Sequence, residues 1–294
     1  MALLKRYVDP ETLRRIIQSA RLEDIGLGGS DVTSDVMVGP HRQASARLRA
    51  RAVGCLAGVA LLPAIVQAYD STIRLRVDRL DGEQVENGME VARFTGSLRS
   101  ILAIERVALN FLCHLSGIAT LTSHFVAAVV GTGVGIYDTR KTTPMLRALE
   151  KYAVACGGGC NHRMGLHDAV LIKDNHLAHL STDQLGPALT DACNRVRSTK
   201  PQVKFIEIEV DHVDQLAAVF DSAPDRVLLD NMTPDDLRRA VAMRDSMAAG
   251  IELEASGRVN LENVRQIAET GVDLVSIGSI THSAPALDLG LDID

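Results

Sequence analysis

From residue 133 onward, short apolar runs alternate with segments of helical spacing, and this limits the possible folds more than any other feature. The runs are VGIYD, AVLIKD, KFIEIEV, RVLLDN, IELEAS and DLVSIGS. Among the segments between them, TPDDLRRAVAM has Thr233 as N-cap and Pro234 at the first helical position, and LENVRQIAETG stops at Gly271. Strand then helix, repeated about six times, predicts an α/β fold with a parallel sheet covered by helices. The residues that end each strand are as informative. They are Thr139-Arg140-Lys141, Lys173-Asp174-Asn175, Glu209, Asp230-Asn231, Ser256-Gly257 and Gly278-Ser279. In a β/α barrel such strand ends converge on one face, where barrel enzymes place their chemistry. An open doubly wound sheet also binds ligands at strand C-termini, but it needs a Gly-rich first turn. No G-x-G-x-x-G or P-loop pattern is present in this sequence. The expected architecture is therefore an incomplete β/α barrel of about six strands.

The first 113 residues read differently. A helix is expected from Glu11 to Arg21, followed by the loop DIGLGGSDVTSD. ARLRARAVGCLAG and TIRLRVDRLDGEQVENGMEVARFTGS have a period near two, with turns at Asp81-Gly82 and Asn87-Gly88, and predict antiparallel strands. LLPAIVQAYD reads as a helix between them, and SLRSILAIERVALNFLCHLSG as a long helix joining the two halves. A length of 294 residues suits one large domain or two modest ones.

The strand ends sort by charge. Arg140, Lys141, Arg163 and Lys173 are cations, with His162 beside Arg163; Glu209 and Asp230 are anions further round. Residues 138–163 hold five Lys/Arg against two Asp/Glu, inside a chain of net charge −6. A concave face with concentrated positive charge attracts a multiply anionic small molecule, and Arg suits carboxylates and phosphates because its fork donates two parallel hydrogen bonds. Two acidic strand ends can hold a divalent cation or accept from sugar hydroxyls. Glu207 shares a face with Glu209 by period two, so the spacing leaves both as candidates. The acidic balance argues against sequence-independent nucleic-acid binding, and an aromatic content of 3 % with no Trp argues against base-stacking platforms.

CGGGCNHRMG offers Cys156, Cys160, His162 and His167, but their spacing fits no standard zinc pattern. Its three glycines read as a tight backbone nest or turn near an anion. Cys55, Cys113 and Cys193 lie in apolar stretches and are expected in the core. Five unpaired cysteines, no apolar run of about 18 residues and an N-terminus without the apolar core of a signal peptide give the expectation of a cytoplasmic protein with no membrane partner.

The stretch DTRKTTPMLRALEKYAVACGGGCNHRMGLHDAVLIKDNH resembles quinolinate phosphoribosyltransferases. LEDIGLGGSDVTSD, ERVALNFLCHLSGIATLT, LLDNM, LEASG and ITHSAPALDLGLDI extend that resemblance, in order, over nearly the whole chain. The resemblance implies an N-terminal α/β sandwich over 1–115, with 280–294 packing back on it, and an incomplete β/α barrel over 116–279. It implies a homo-oligomer, a dimer or larger, in which one subunit's N-terminal domain caps its neighbour's barrel. The implied reaction joins quinolinate to 5-phosphoribosyl 1-diphosphate and gives nicotinate mononucleotide, carbon dioxide and diphosphate, with Mg2+ and no organic cofactor, in NAD synthesis.

By motif, Arg140, His162, Arg163 and Lys173 would grip the two carboxylates, with Thr139 in the same loop, and Arg106 would reach the site across the subunit interface. Lys141 would contact the phosphoribosyl substrate, and Glu209 and Asp230 the ribose and the metal. The Ser256-Gly257-Arg258 and Ile277-Gly278-Ser279 turns would cradle the 5-phosphate, with His282 nearby. Arg258 departs from the family, which has a second glycine there, so the shape of that turn is the weakest part of the correspondence. Two rival readings remain at this level: a related phosphoribosyltransferase acting on another aromatic acid, and a non-catalytic metabolite-binding protein on the same scaffold.

Overall fold

The computed structural model describes residues 3–177 and 182–294. Two compact units emerge, and neither is continuous in sequence. The first comprises Met1–Ser123, Thr142–Gly158 and Ser279–Asp294; the second comprises His124–Lys141 and Gly159–Gly278. The expected boundaries followed chain order at 115 and 279. The structure departs from them by returning Thr142–Gly158, with its helix Arg147–Cys156, to the first unit.

The first unit is built on β1 (Gln43–Ala50), β2 (Gly54–Cys55), β3 (Arg74–Val77), β4 (Gln84–Val85) and β5 (Glu90–Ser97). β1 pairs antiparallel with β5 and β5 with β3, while β2 and β4 form a separate two-stranded ladder. The C-terminal strand Leu289–Ile293 adds to the free side of β1, also antiparallel. Alternation drives this sheet: Ala46, Leu48 and Ala50 are buried on β1, and the residues between them are partly exposed. Gly82 and Gly88 hold left-handed φ values of 88° and 87°, as their turns require.

The first helix is Pro10–Ile25, capped by Asp9, whose carboxylate accepts from Glu11 N–H and Thr12 N–H. It runs past the expected Arg21 because nothing interrupts it before Gly26, at φ 67°. The long helix is Leu98–Ala128. It is apolar enough for a membrane span by length and composition, yet 56 % of its most apolar stretch is buried inside the fold, as in a core helix. Close packing on this helix explains one of the three glycines expected to form a nest. A Cβ on Gly157 would stand 2.3 Å from the Ala119 carbonyl oxygen and 2.7 Å from Thr122 Cβ, so Gly157 serves a close helix contact.

The second unit carries β6 (Gly135–Tyr137), β7 (Val170–Ile172), β8 (Ile206–Val210), β9 (Arg226–Asp230), β10 (Glu252–Ser256) and β11 (Leu274–Ser276). They form one sheet in the order β6-β11-β10-β9-β8-β7, with every pair parallel. Helices follow the strands; Pro234–Met247 starts at Thr233, whose hydroxyl accepts from Asp236 N–H, as the sequence predicts. The sheet curls. Arg226 on β9 lies 5.6 Å from the Tyr137 ring on β6, although those strands are separated by β10 and β11. Three strand spacings in a flat sheet would put them roughly 14 Å apart. No strand pair joins β6 to β7 among the described residues; the free side of β6 carries the parallel bridge Tyr137–Cys160. This is the incomplete barrel.

Gly117, inside the long helix, meets the C-terminal segment: a Cβ there would stand 2.1 Å from the Pro285 carbonyl oxygen. Gly117→Ala should therefore cost about 1–3 kcal/mol of stability. Thermal unfolding checks this, with Gly250→Ala, which would meet nothing within 4 Å, as the control.

Candidate active site

Parallel strands bring all their C-terminal ends to one edge, so residues far apart in sequence become neighbours there. Thr139, Arg140 and Lys141 follow β6; His162 and Arg163 follow Cys160, which bridges to the end of β6. Lys173 follows β7 directly, Glu209 is the penultimate residue of β8, and Asp230 ends β9. Ser256 ends β10 with Gly257 and Arg258 next, and Ile277-Gly278 follow β11. Register aligns the top row: Asp230 faces Ser256, Ser256 faces Ser276, and Ser276 faces Tyr137. Arg106, Ser279 and His282 belong to the first unit. Arg106 is exposed on the long helix, and His282 Nδ1 lies 2.6 Å from the Ser283 hydroxyl.

Lys173 Nζ donates to Glu209 Oε2. Arg163 is 6 % exposed, and burial followed by the charge of Arg140 lowers its pKa. The charge of half-buried Arg140 thus opposes that of Arg163, while Glu207 and Asp168 support it.

The loop carrying Arg163 is fixed from several sides. Asp138, fully buried just beyond β6, accepts from His162 N–H at 2.9 Å and from Asn161 Nδ2 at 2.6 Å. The Arg163 Nη1 donates to the Ala169 carbonyl at 3.1 Å. Asp168 accepts from Met164 N–H and Gly165 N–H, both at 2.9 Å, and pairs with Lys204 at 3.1 Å. Burial pushes the Asp168 carboxyl up, but these donors more than offset it and hold it at about 2.

Beneath this loop lies a cluster that the sequence reading missed. His162, Glu207 and Glu254 are buried, with their ligand-type atoms within 4.8 Å of one another. His162 Nε2 is 2.8 Å from Glu207 Oε2 and 3.4 Å from Glu254 Oε2. Burial and the facing charge of Glu254 push the Glu207 carboxyl up to about 7. Burial disfavours a charged His162 ring and the two carboxylates, which raise its pKa, favour one; the Arg163 N–H donated to Nδ1 at 2.8 Å decides between them, because it leaves that nitrogen no room for a second proton. Between Glu207 and Glu209 the structure separates roles: Glu207 is buried with His162, and Glu209 is half-buried with Lys173. Period two could have found Glu254, which shares a face with Ser256. Arg226 was also missed; it sits 4.4 Å from the Phe205 ring and donates to Glu252 at 2.6 Å.

The turns after β9 and β10 lock together. Asn231 N–H donates to the Ser256 carbonyl at 2.8 Å, and Asn231 Nδ2 to Asp230 Oδ2 at 2.7 Å. Gly257 has φ 94°, and a Cβ there would stand 2.3 Å from Asn231 Oδ1. Arg258 adopts φ 51°, a left-handed conformation that suits the family's glycine and strains an arginine.

Two predictions follow from this geometry. Arg258→Gly should raise stability by a few tenths to about 1 kcal/mol, read as a higher urea midpoint. Asp168→Asn should be less stable than the parent chain near neutral pH. The folded pKa of Asp168 is depressed, so its contribution is present above about pH 4 and fades as pH falls toward 2. Urea unfolding across that range should show the gap between the two proteins closing.

Comparison with known proteins agrees with the resemblance. Residues 118–292 match the family model described as quinolinate phosphoribosyl transferase, C-terminal domain, and residues 31–116 match its N-terminal domain. The chain is 39 % identical to nicotinate-nucleotide pyrophosphorylase (carboxylating) of Mycobacterium leprae, over 96 % of this chain and 98 % of that one. It is 36 % identical to a probable enzyme of the same name from Bacillus subtilis, over 96 % and 93 %. The solved structure of nicotinate-nucleotide pyrophosphorylase from Francisella tularensis superposes with a TM-score of 0.88 at 33 % identity, covering 98 % of each chain. With both domain models matched in order and the barrel's strand ends carrying the expected side chains, the chain belongs to the quinolinate phosphoribosyltransferase family.

Proposed function

We propose that this protein transfers the phosphoribosyl group of 5-phosphoribosyl 1-diphosphate to quinolinate with loss of a carboxylate, forming nicotinate mononucleotide, carbon dioxide and diphosphate in NAD synthesis. The observation that carries this reading is the gathering of Arg140, Lys141, Lys173, Glu209 and Asp230, with Arg163 on the loop after Cys160, at the C-terminal edge of one parallel sheet, which suits a compact dianion beside a sugar. Arg140, Arg163 and Lys173 take the two carboxylates, with Thr139 shaping the loop. Lys141, exposed beyond β6, faces the donor's diphosphate. Glu209 and Asp230 address the ribose, and the turns at Ser256–Arg258 and Ile277–Ser279, with His282, take the 5-phosphate.

The C1–O bond of the donor breaks and its electron pair leaves with diphosphate. Positive charge develops on the sugar, where the carboxylates of Glu209 and Asp230 stabilise it. The pyridine nitrogen then forms the new bond to C1. The ring becomes cationic, and it accepts the electron pair left when the adjacent carbon–carboxylate bond breaks. Carbon dioxide departs and a proton fills the vacated ring carbon. Orientation and electrostatics supply the acceleration, and no covalent enzyme intermediate is needed.

A magnesium ion suits the residues present. Glu209 and Asp230 are hard oxygen donors, both half-buried at the ends of neighbouring strands, and Mg2+ is ordinarily held by one or two carboxylates together with substrate phosphates. Bound there, it would neutralise charge on the departing diphosphate. Five free cysteines fit a reducing, cytoplasmic setting. We assign the active form to a dimer or larger, with Arg106 of one subunit completing the site of another.

The purified protein with Mg2+, 5-phosphoribosyl 1-diphosphate and quinolinate should form nicotinate mononucleotide, and nicotinate in place of quinolinate should give none. Product from nicotinate alone, or no product at all, sinks the proposal. Arg140→Ala and Arg163→Ala should each raise the quinolinate KM by about a hundredfold or more, because each removes a charge-assisted contact of about 3 kcal/mol. For a dimer, mixing Arg106→Ala and Arg140→Ala proteins, assayed at quinolinate too dilute for either alone to turn over, should restore about a quarter of the activity, since half the dimers then own one intact site.

A further inference from the structure

His162 stands beside Arg163, and the family pattern places it among the residues that grip the dicarboxylate. Its surroundings give it a different task. Nε2 meets the Glu207 carboxylate at 2.8 Å and lies 3.4 Å from that of Glu254. Nδ1 accepts the backbone N–H of Arg163 at 2.8 Å. The ring stands edge-on to Phe205, with centroids 5.3 Å apart and planes at 88°. The His162 main chain is held as well, its N–H bonded to Asp138.

A neutral imidazole offers one donor nitrogen and one acceptor nitrogen. Here the donor is spent on buried carboxylates and the acceptor on the next residue's backbone. A doubly protonated ring would point an N–H at the Arg163 N–H, which needs a lone pair. We infer that His162 is a positioning residue and not a ligand contact: together with Glu207 and Glu254 it fixes the Arg163 main chain, and so aims the Arg163 guanidinium at the anion. The guanidinium is itself tethered, through Nη1 to the Ala169 carbonyl, so its fork has a defined direction only while the loop is held. The carboxylate pair sits on β8 and β10, which gives the loop a rigid footing on the sheet. What Arg163 aims at rests on the activity proposed above; the locked ring does not.

The test has two arms on the full-length protein. In the first, protein carrying 15N-labelled histidine is followed by long-range proton–nitrogen correlation at neutral pH. His162 is assigned by the signal lost in His162→Asn or displaced in Glu254→Gln. One protonated ring nitrogen and one bare one are expected, with both shifts unchanged at saturating quinolinate. Two protonated nitrogens in the free protein, or a ring signal that moves when quinolinate binds, overturns the inference. This spectrum needs no turnover, so absence of product would end the proposed activity and still leave the ring's role decided.

In the second arm, Glu254→Gln keeps the shape of the cluster and weakens its hold. The quinolinate KM should rise on the order of tenfold, while kcat and the KM for 5-phosphoribosyl 1-diphosphate shift less than about twofold. In an Arg163→Ala background the same substitution should add less than about twofold, since the two residues act through one contact. A general loss of kcat, or a full additional loss in that background, means that the cluster does not work through Arg163.

Discussion

Charge placed on the concave face of a curled parallel sheet must be paired there or given to a ligand, because little water reaches it. This constraint governs the second unit. The faces of β8, β9 and β10 that bear Glu207, Glu209, Arg226, Asp230, Glu252 and Glu254 would be prohibitive in a dry barrel. Most of that charge is answered locally. Arg226 is bonded to Glu252 and lies over two aromatic rings, Glu209 accepts from Lys173, and Glu207 and Glu254 close on His162.

The loop that carries Arg163 is held chiefly through its backbone. Asp138 binds main-chain and amide donors of the loop, Asp168 binds two further N–H groups, and the Ala169 carbonyl takes one edge of the Arg163 fork. The scaffold therefore invests the carboxylates of Asp138 and Asp168 in holding the loop that carries Arg163.

The order of strands was not legible in the sequence, although their number and their ends were. Six apolar runs with polar tips gave six parallel strands with those tips on one edge. Thr142–Gly158 was misplaced because helix Arg147–Cys156 follows a barrel strand in the chain, while its packing partners, such as Ala119 and Thr122 at Gly157, lie in the other unit. The helix contact made by Gly157 was not legible because spacing cannot tell a backbone turn from a close approach. Glu254 was overlooked for a related reason. IELEAS announces a strand end, and attention to the tip passes over a carboxylate two residues below it, which has meaning only once β8 and the His162 loop stand beside β10.

The sequence by itself determined the parallel sheet, the residues at its strand ends and the family, because periodicity, caps and long ordered motifs are local properties of the chain. Tertiary structure alone decided which charges neutralise one another. Glu207 and Glu209 are equivalent in the sequence, two alternate positions on one strand. Strand register sets the end of β7 beside Glu209, and the curl of the sheet brings the loop after Cys160 to Glu207, so that one meets a buried histidine and the other a half-buried lysine. Pair energies depend on separation and burial, and neither is set until the strands are side by side.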